Sequence, residues 1–154
     1  MDTSEIIKAF GEKIGMELKP DADGSCAFEV DGHLVMISIL HELDAIALVG
    51  DLGEPPPERL DALYKAMLEA NHLFAGTGGA TISRDPATGR FALCRVLPCR
   101  MLDADSFYAE AERFVSTLAS WSRIVRDFRA APPSAEGPSD GTDSLVGMSG
   151  FLAV

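Results

Sequence analysis

The chain has 154 residues, of which 47% are hydrophobic, enough for one domain whose single core needs neither disulfides nor metals. Its 13 basic and 24 acidic residues give a formal net charge of -11, which disfavours nucleic acid and anionic membranes as partners and favours a basic one. No apolar run approaches the ~20 residues that span a bilayer. Three cysteines without paired spacing, Cys26, Cys94 and Cys99, predict no disulfide framework. Together these features indicate a cytoplasmic protein.

The first half of the sequence predicts a helix followed by a three-stranded meander. The helix covers residues 2–14 and begins with Asp2 and Glu5 at the spacing of a capping box. Strands are predicted over residues 25–30, 33–40 and 45–52. The first two strands are joined by Asp31-Gly32, a strong signal for a tight hairpin turn.

The second half predicts a helix, a hairpin and a long final helix. The helix covers residues 58–74, the hairpin strands cover 80–84 and 90–97, and Asp103 or Asp105 caps the final helix. Its apolar residues recur at alternating steps of four and three: Phe107, Ala111, Phe114, Leu118, Trp121, Val125 and Phe128. The predicted order is α-β-β-β-α-β-β-α, an α+β domain with an antiparallel five-stranded sheet and three helices.

The sequence offers no convincing catalytic, metal or cofactor site. Its three histidines, His33, His41 and His72, do not pair with one another or with cysteine at a metal-ligand spacing. The glycine-rich run 76–79 follows a helix and lacks the lysine of a phosphate-binding loop. Cys99, which has Arg100 beside it, is the thiol that a thiol-dependent enzyme would use. We therefore predict no enzyme, no metal and no cofactor.

The sequence has more apolar surface than one core contact requires. The second predicted strand is apolar on both faces, and Tyr64 and Leu68 widen the apolar stripe of the second helix. Such excess indicates protein contacts. The alternative is that tertiary packing uses both faces.

Several short stretches carry a resemblance to a known family. They are residues 10–18, which end in Ile14-Gly15-Met16-Glu17-Leu18, then 24–31, 48–53, 68–71 and 76–85, and finally Phe114, Val115 and Trp121. In order and spacing they resemble the class I type III secretion chaperones, the Tir-chaperone (CesT-like) family. The resemblance implies a homodimer that binds the N-terminal segment of a secreted effector and keeps it competent for export, without ATP. The alternative is a regulatory or assembly module of the same fold that has no secretion client.

The resemblance also implies two sets of site residues. The dimer interface would use Leu60, Tyr64, Met67, Leu68 and Asn71 of the second helix. The client groove would use Phe10 and Ile14 of the first helix, with Phe28, Val35, Ile37, Phe91 and Leu93 of the sheet. Alternation along the strands does not fix which face of the sheet meets the client.

The end of the chain departs from the family pattern. Residues 1–129 form the predicted domain, and residues 130–144 have the Pro-, Gly-, Ser- and Asp-rich composition of a linker. Residues 145–154 are apolar. Two roles stay open for this tail: it occupies the client groove until an effector displaces it, or it is dispensable.

Overall fold

The computed structural model describes residues 2–130, which form three α-helices and five β-strands in the predicted order. The helices are α1 (Thr3–Ile14), α2 (Leu60–Asn71) and α3 (Ala104–Ala130). The strands are β1 (Ser25–Val30), β2 (His33–Leu40), β3 (Ala45–Gly53), β4 (Thr81–Arg84) and β5 (Phe91–Pro98). The predicted α+β fold class is confirmed. Ala130, predicted as the first residue of the linker, instead ends α3. The rest of the predicted linker and the apolar tail, residues 131–154, lie outside the described residues.

The five strands form one antiparallel sheet in the order β1-β2-β3-β5-β4. The meander β1-β2-β3 and the hairpin β4-β5 join side by side through β3 and β5. This order leaves β1 and β4 at the two edges. It therefore decides which backbone groups have no strand partner.

One face of the sheet, the inner face, carries the core beneath the helices. Strand pairing aligns Phe28 with Val35 and Val35 with Gly50 on this face. A Cβ atom at Gly50 would lie 2.5 Å from both terminal carbons of Leu118, so the glycine is what lets α3 pack directly on the centre of β3. Trp121 is also buried, and its indole N–H donates to the carbonyl of Gly76 at 2.8 Å. The long helix is thus fixed to the sheet and to the α2–β4 loop.

The opposite face of the sheet, the outer face, has exposed apolar side chains. Leu34, Met36 and Val96 are 58%, 47% and 50% exposed. The two apolar faces predicted for the second strand therefore differ in burial. Val35 and Ile37 belong to the core, whereas Leu34 and Met36 project from the outer face.

The predicted end of the second helix, at residue 74, is wrong. The α-helix ends at Asn71 and a 3-10 turn, His72–Phe74, follows. Leu73 and Phe74 have φ of 52° and 57° and are 83% and 52% exposed. Phe74 continues the helical spacing in the sequence, but the chain turns here to begin β4.

The start of the final helix is capped by one of the two predicted aspartates. The Oδ1 atom of Asp103 accepts a hydrogen bond from the Ser106 N–H at 2.8 Å. Asp105 instead forms an ion pair with Lys13 of α1. The cap and the ion pair together fix the first turn of α3 beside α1. Within residues 2–130, no helix is long and apolar enough to cross a membrane.

Candidate functional site

A cleft of about 490 Å³ lies between α1, β1 and α3. Its apolar lining comes from all three elements and from the chain just after α1: Phe10, Ile14, Met16, Phe28, Val30, Tyr108, Ala111, Val115 and Ala119. We call it the α1–β1–α3 cleft. Helical spacing brings these side chains together, because Phe10 and Ile14 are four residues apart, as are Ala111, Val115 and Ala119. Clefts of this size and composition take apolar side chains from a ligand.

Packed aromatic rings form the floor of the cleft. The ring of Phe10 meets Phe28 at 5.2 Å and Phe107 at 5.1 Å, both edge to face. Tyr108 lies 6.2 Å from Phe10, and the Lys13 ammonium group sits 5.0 Å from the centre of the Tyr108 ring. Edge-to-face pairs of this kind each contribute about 0.5–1.5 kcal/mol beyond area burial. The floor is therefore a fixed surface that exists before any ligand binds.

The rim of the cleft is acidic. Glu29, Asp31 and Glu112 line its mouth and are all exposed. Asp31 and Gly32 have φ of 50° and 79°, the left-handed pair that the predicted tight turn between β1 and β2 requires. This turn brings the Asp31 carboxylate to the end of the cleft. The site thus combines apolar walls with a negative border.

The edge strand β1 runs beside the cleft. Among the described residues the only strand that it pairs with is β2. At its start, the Ser25 C=O accepts from the Asp21 N–H and the Ser25 N–H donates to Asp21 Oδ1, both at 2.9 Å, so the free side of its backbone lies beyond Ser25. Such an edge can accept a further strand. An extended peptide could therefore pair with β1 and point alternate side chains into the cleft.

The other edge strand, β4, is closed by a side chain. Asn71 at the end of α2 accepts a hydrogen bond from the Ile82 N–H at 2.9 Å and donates one to the Ile82 carbonyl at 3.1 Å. This arrangement blocks strand addition at the middle of β4. The two edges of the sheet are therefore not equivalent.

A second apolar surface lies on α2 and the turn after it. Tyr64, Leu68, Leu73 and Phe74 are 37%, 70%, 83% and 52% exposed, and we call them the α2 patch. Tyr64 also stacks edge to face on Phe91 at 5.9 Å. A shallow cavity of about 210 Å³ opens beside this pair. The α2 patch is separate from the α1–β1–α3 cleft.

The structure divides the predicted client residues into three groups. Phe10, Ile14 and Phe28 line the cleft, where Phe10 and Phe28 are only 2% and 5% exposed and form its floor. Val35, Ile37 and Leu93 are 0% exposed in the core, so they support the site from beneath and have no surface to offer a client. Phe91 packs against Tyr64 of α2 instead. Sequence reasoning missed the cleft residues Met16, Val30, Tyr108, Val115 and Ala119, although the four-residue spacing along the last helix was a usable signal.

The predicted dimer residues also differ in their exposure. Tyr64 and Leu68 belong to the exposed α2 patch, whereas Met67 is 5% exposed in the core and Leu60 is half-buried against it. Asn71 makes its hydrogen bonds to β4 within the chain. Sequence reasoning missed Leu73 and Phe74, because it continued the helix through them.

The thiols have the surroundings of structural residues. Cys99 is buried, with its Sγ atom 3.4 Å from the Thr3 hydroxyl oxygen. Burial, with a smaller contribution from the Asp21 carboxylate, raises the pKa of the Cys26 thiol. A raised pKa disfavours the reactive thiolate. In the part of the chain between Asp2 and Ala130, no three His, Cys, Asp or Glu side chains are grouped so that they could hold a metal ion.

The fold and the cleft define a class of small α+β proteins with an apolar groove beside an edge strand, and comparison with known proteins identifies the family. The profile of the Tir chaperone protein (CesT) family matches residues 5–122, more than three quarters of the chain. The chain therefore belongs to the Tir chaperone protein family, which confirms the resemblance inferred from sequence. No curated protein matches in sequence.

Solved structures share the fold at low sequence identity. The HopA1–SchA chaperone–effector complex contains a chain with a TM-score of 0.62 and 18% identity, over 82% of this chain and 92% of that one. A chain of the ExsC–ExsE complex has a TM-score of 0.69 and 19% identity, over 81% of this chain and 97% of that one. A third structure is the complex of the Yersinia pestis type III secretion chaperone SycH with a stable fragment of YscM2. A chain in it has a TM-score of 0.62 and 14% identity, over 79% of this chain and 98% of that one. The similarity therefore covers nearly all of those chains but leaves about a fifth of this one unmatched.

Proposed function

We propose that this protein is a type III secretion chaperone that binds an extended segment near the N-terminus of a secreted effector and keeps it ready for export, without ATP. The observation that carries the proposal is the coincidence of an apolar cleft, an unpaired strand edge and an acidic rim at one end of the sheet. Family membership supports the same role.

The geometry favours an extended ligand over a folded one. A strand that pairs with β1 presents every second side chain to one face, and the cleft beside β1 is lined by Phe28 and Val30 of that strand. Backbone hydrogen bonds to the edge are independent of side-chain identity, and the cleft accepts any apolar side chain of suitable size. We therefore infer selectivity for apolar, extended segments.

Charge adds a second criterion for the client. Glu29, Asp31 and Glu112 border the cleft, and the whole chain carries a formal charge of -11. Basic residues beside the apolar client segment would be attracted to this rim, which increases the association rate most at low ionic strength. The preferred client is thus an apolar segment flanked by Lys or Arg.

We further propose that the protein acts as a homodimer through the α2 patch. Leu68 and Leu73 are exposed large aliphatic side chains in one region of the surface, and apolar patches of this kind mark protein contacts. Pairing through α2 would leave the α1–β1–α3 cleft of each protomer open, because the cleft is formed by other elements. One dimer would then hold a single client segment at two places.

We propose binding without catalysis, in the bacterial cytoplasm. The support for this is the chaperone family and the state of the cysteines, which are free thiols, as expected in a reducing compartment. The buried Cys99 thiol contacts a threonine hydroxyl and not a base that could activate it.

A pair of methionine substitutions tests the proposed site. Met16 lines the cleft and is 40% exposed, whereas Met36 lies on the outer face and is 47% exposed. Met16→Glu should weaken binding of the N-terminal segment of an effector encoded beside the gene by about tenfold or more, ~1.4 kcal/mol. Met36→Glu, the matched control, should leave calorimetric affinity unchanged. Equal loss in both variants, or loss in Met36→Glu alone, would place the client elsewhere.

A further inference from the structure

We propose that residues 145–154 of this chain occupy its own α1–β1–α3 cleft in the absence of an effector and are displaced when an effector segment binds. The displacement step rests on the function proposed above, whereas occupation of the cleft does not. This segment lies outside the family match, which ends at residue 122.

The composition of the segment suits the cleft. Residues 145–154 contain no charged side chain, and their apolar members are Leu145, Val146, Met148, Phe151, Leu152, Ala153 and Val154. The cleft offers aromatic and aliphatic walls on three sides. These apolar side chains gain that burial, and none of them is acidic and repelled by the rim.

The geometry of α3 sets the distance that the linker must cover. Ala119 lines the cleft and Ala130 ends the helix, so the two are separated by about 16 Å at the rise of an α-helix. The linker 131–144 has fourteen residues, eight of them Pro, Gly or Ser. A random coil of that length has a root-mean-square span of roughly 20 Å. A chain of that span would match the distance to be covered.

A tether whose root-mean-square length matches the distance between two sites gives the attached segment a high effective concentration at the second site. Short flexible tethers give values of about 1 mM. A segment whose affinity in trans is about 0.1 mM would then fill most of the clefts and weaken a competing effector about tenfold. An effector with basic flanks would still displace it, because the tail has no cation with which to contact Glu29 or Asp31.

The cleft is a better site for this segment than the other apolar surfaces. The outer face, with Leu34 and Met36, is open, and a bound chain would bury only one side of each side chain. In the α2 patch Leu73 is 83% exposed, and the neighbouring edge strand β4 is closed at Ile82 by Asn71. The cleft combines concave walls with the free edge of β1, which can also satisfy the backbone of the bound segment.

The test uses the full chain and two matched double variants. Phe151→Asp with Leu152→Asp puts two charges into the apolar segment, whereas Pro133→Asp with Ala135→Asp puts the same charges into the linker. In amide NMR spectra without effector, the first variant should shift cleft residues such as Met16 and Val115. A synthetic peptide of residues 144–154, added in trans to that variant, should move the same signals back. The linker variant should match the unmodified chain at the cleft.

Unchanged cleft signals in the Phe151→Asp, Leu152→Asp variant, or changes confined to Leu34 and Met36, would overturn the inference. Calorimetry with the effector segment then tests displacement, and the tail variant should bind about tenfold more tightly. If NMR places the tail in the cleft but effector affinity is equal in all three proteins, tail occupation stands and the proposed client site is wrong.

Discussion

The side-chain amide of Asn71 makes with Ile82 both of the backbone hydrogen bonds that a neighbouring strand would make. Asn71 ends α2 and Ile82 is the second residue of β4, so the bonds also fix the helix to the edge of the sheet. The edge strand β4 is thereby closed at its middle, whereas β1 is closed only at its first residue, where Asp21 bonds both backbone groups of Ser25. The direction in which a ligand strand can add is set by this asymmetry.

Asn71→Leu should destabilise the fold by about 1–3 kcal/mol, because it leaves the N–H and C=O groups of Ile82 without partners in a partly buried place. Chemical denaturation measures the loss. The loss should not depend on protein concentration if the residue acts within the chain. A loss that disappears on dilution would instead assign Asn71 to the dimer interface.

Leu68→Glu should convert the proposed dimer to a monomer with little effect on folding, because Leu68 is 70% exposed. In a dimer, the carboxylate that this substitution introduces would be buried without a partner. Light scattering at micromolar concentration gives the mass. Leu34→Glu is the control, since Leu34 is 58% exposed on the outer face of the sheet. A dimer that persists in Leu68→Glu would contradict association through α2.

Gly50→Ala should destabilise the protein by about 1–3 kcal/mol through overpacking, since the added carbon would meet Leu118 at 2.5 Å. Thermal or chemical unfolding measures this. Leu118→Ala in the Gly50→Ala background should cost less than Leu118→Ala alone, because the two changes share one space. Additive losses would show that α3 does not approach β3 as closely as described.

Acid should weaken the link between β3 and the start of β5. A side-chain hydrogen bond from Arg90, aided by the Gly53 N–H, lowers the pKa of Asp51 below its usual value. Asp51 is then deprotonated more readily in the folded state. The stability from this pair is therefore present at neutral pH and is lost as pH falls below about 4.

Arg90→Gln isolates that contribution. Arg90 contacts Asp51 at 2.7 Å and Glu54 at 3.3 Å. The stability difference between Arg90→Gln and the unmodified chain should shrink from pH 7 toward pH 3, and NMR titration should show the Asp51 pKa rising in the variant. A difference that is constant with pH would mean that Arg90 acts through packing alone.

Much of the architecture follows from the sequence alone, because it depends on short-range periodicity. The alternation along His33–Leu40 separates two faces, and the four- and three-residue steps along Ala104–Ala130 define the buried stripe of α3. Asp31-Gly32 determines its turn locally, since both residues need left-handed backbone angles. The predicted end of α2 was wrong because Phe74 fits the helical spacing of the sequence, while the backbone leaves the helix at Leu73 and Phe74.

The site depended on tertiary structure, because exposure is a property of packing and not of residue type. Phe28 and Val35 are paired on the same face of the sheet, yet Phe28 lines the cleft and Val35 is wholly covered. The difference arises from where α1 and α3 cross the sheet. Likewise, no local pattern indicates that Asn71 meets Ile82, eleven residues away. The sequence determined which side chains are apolar; the docking of the helices decided which of them remain available to a ligand.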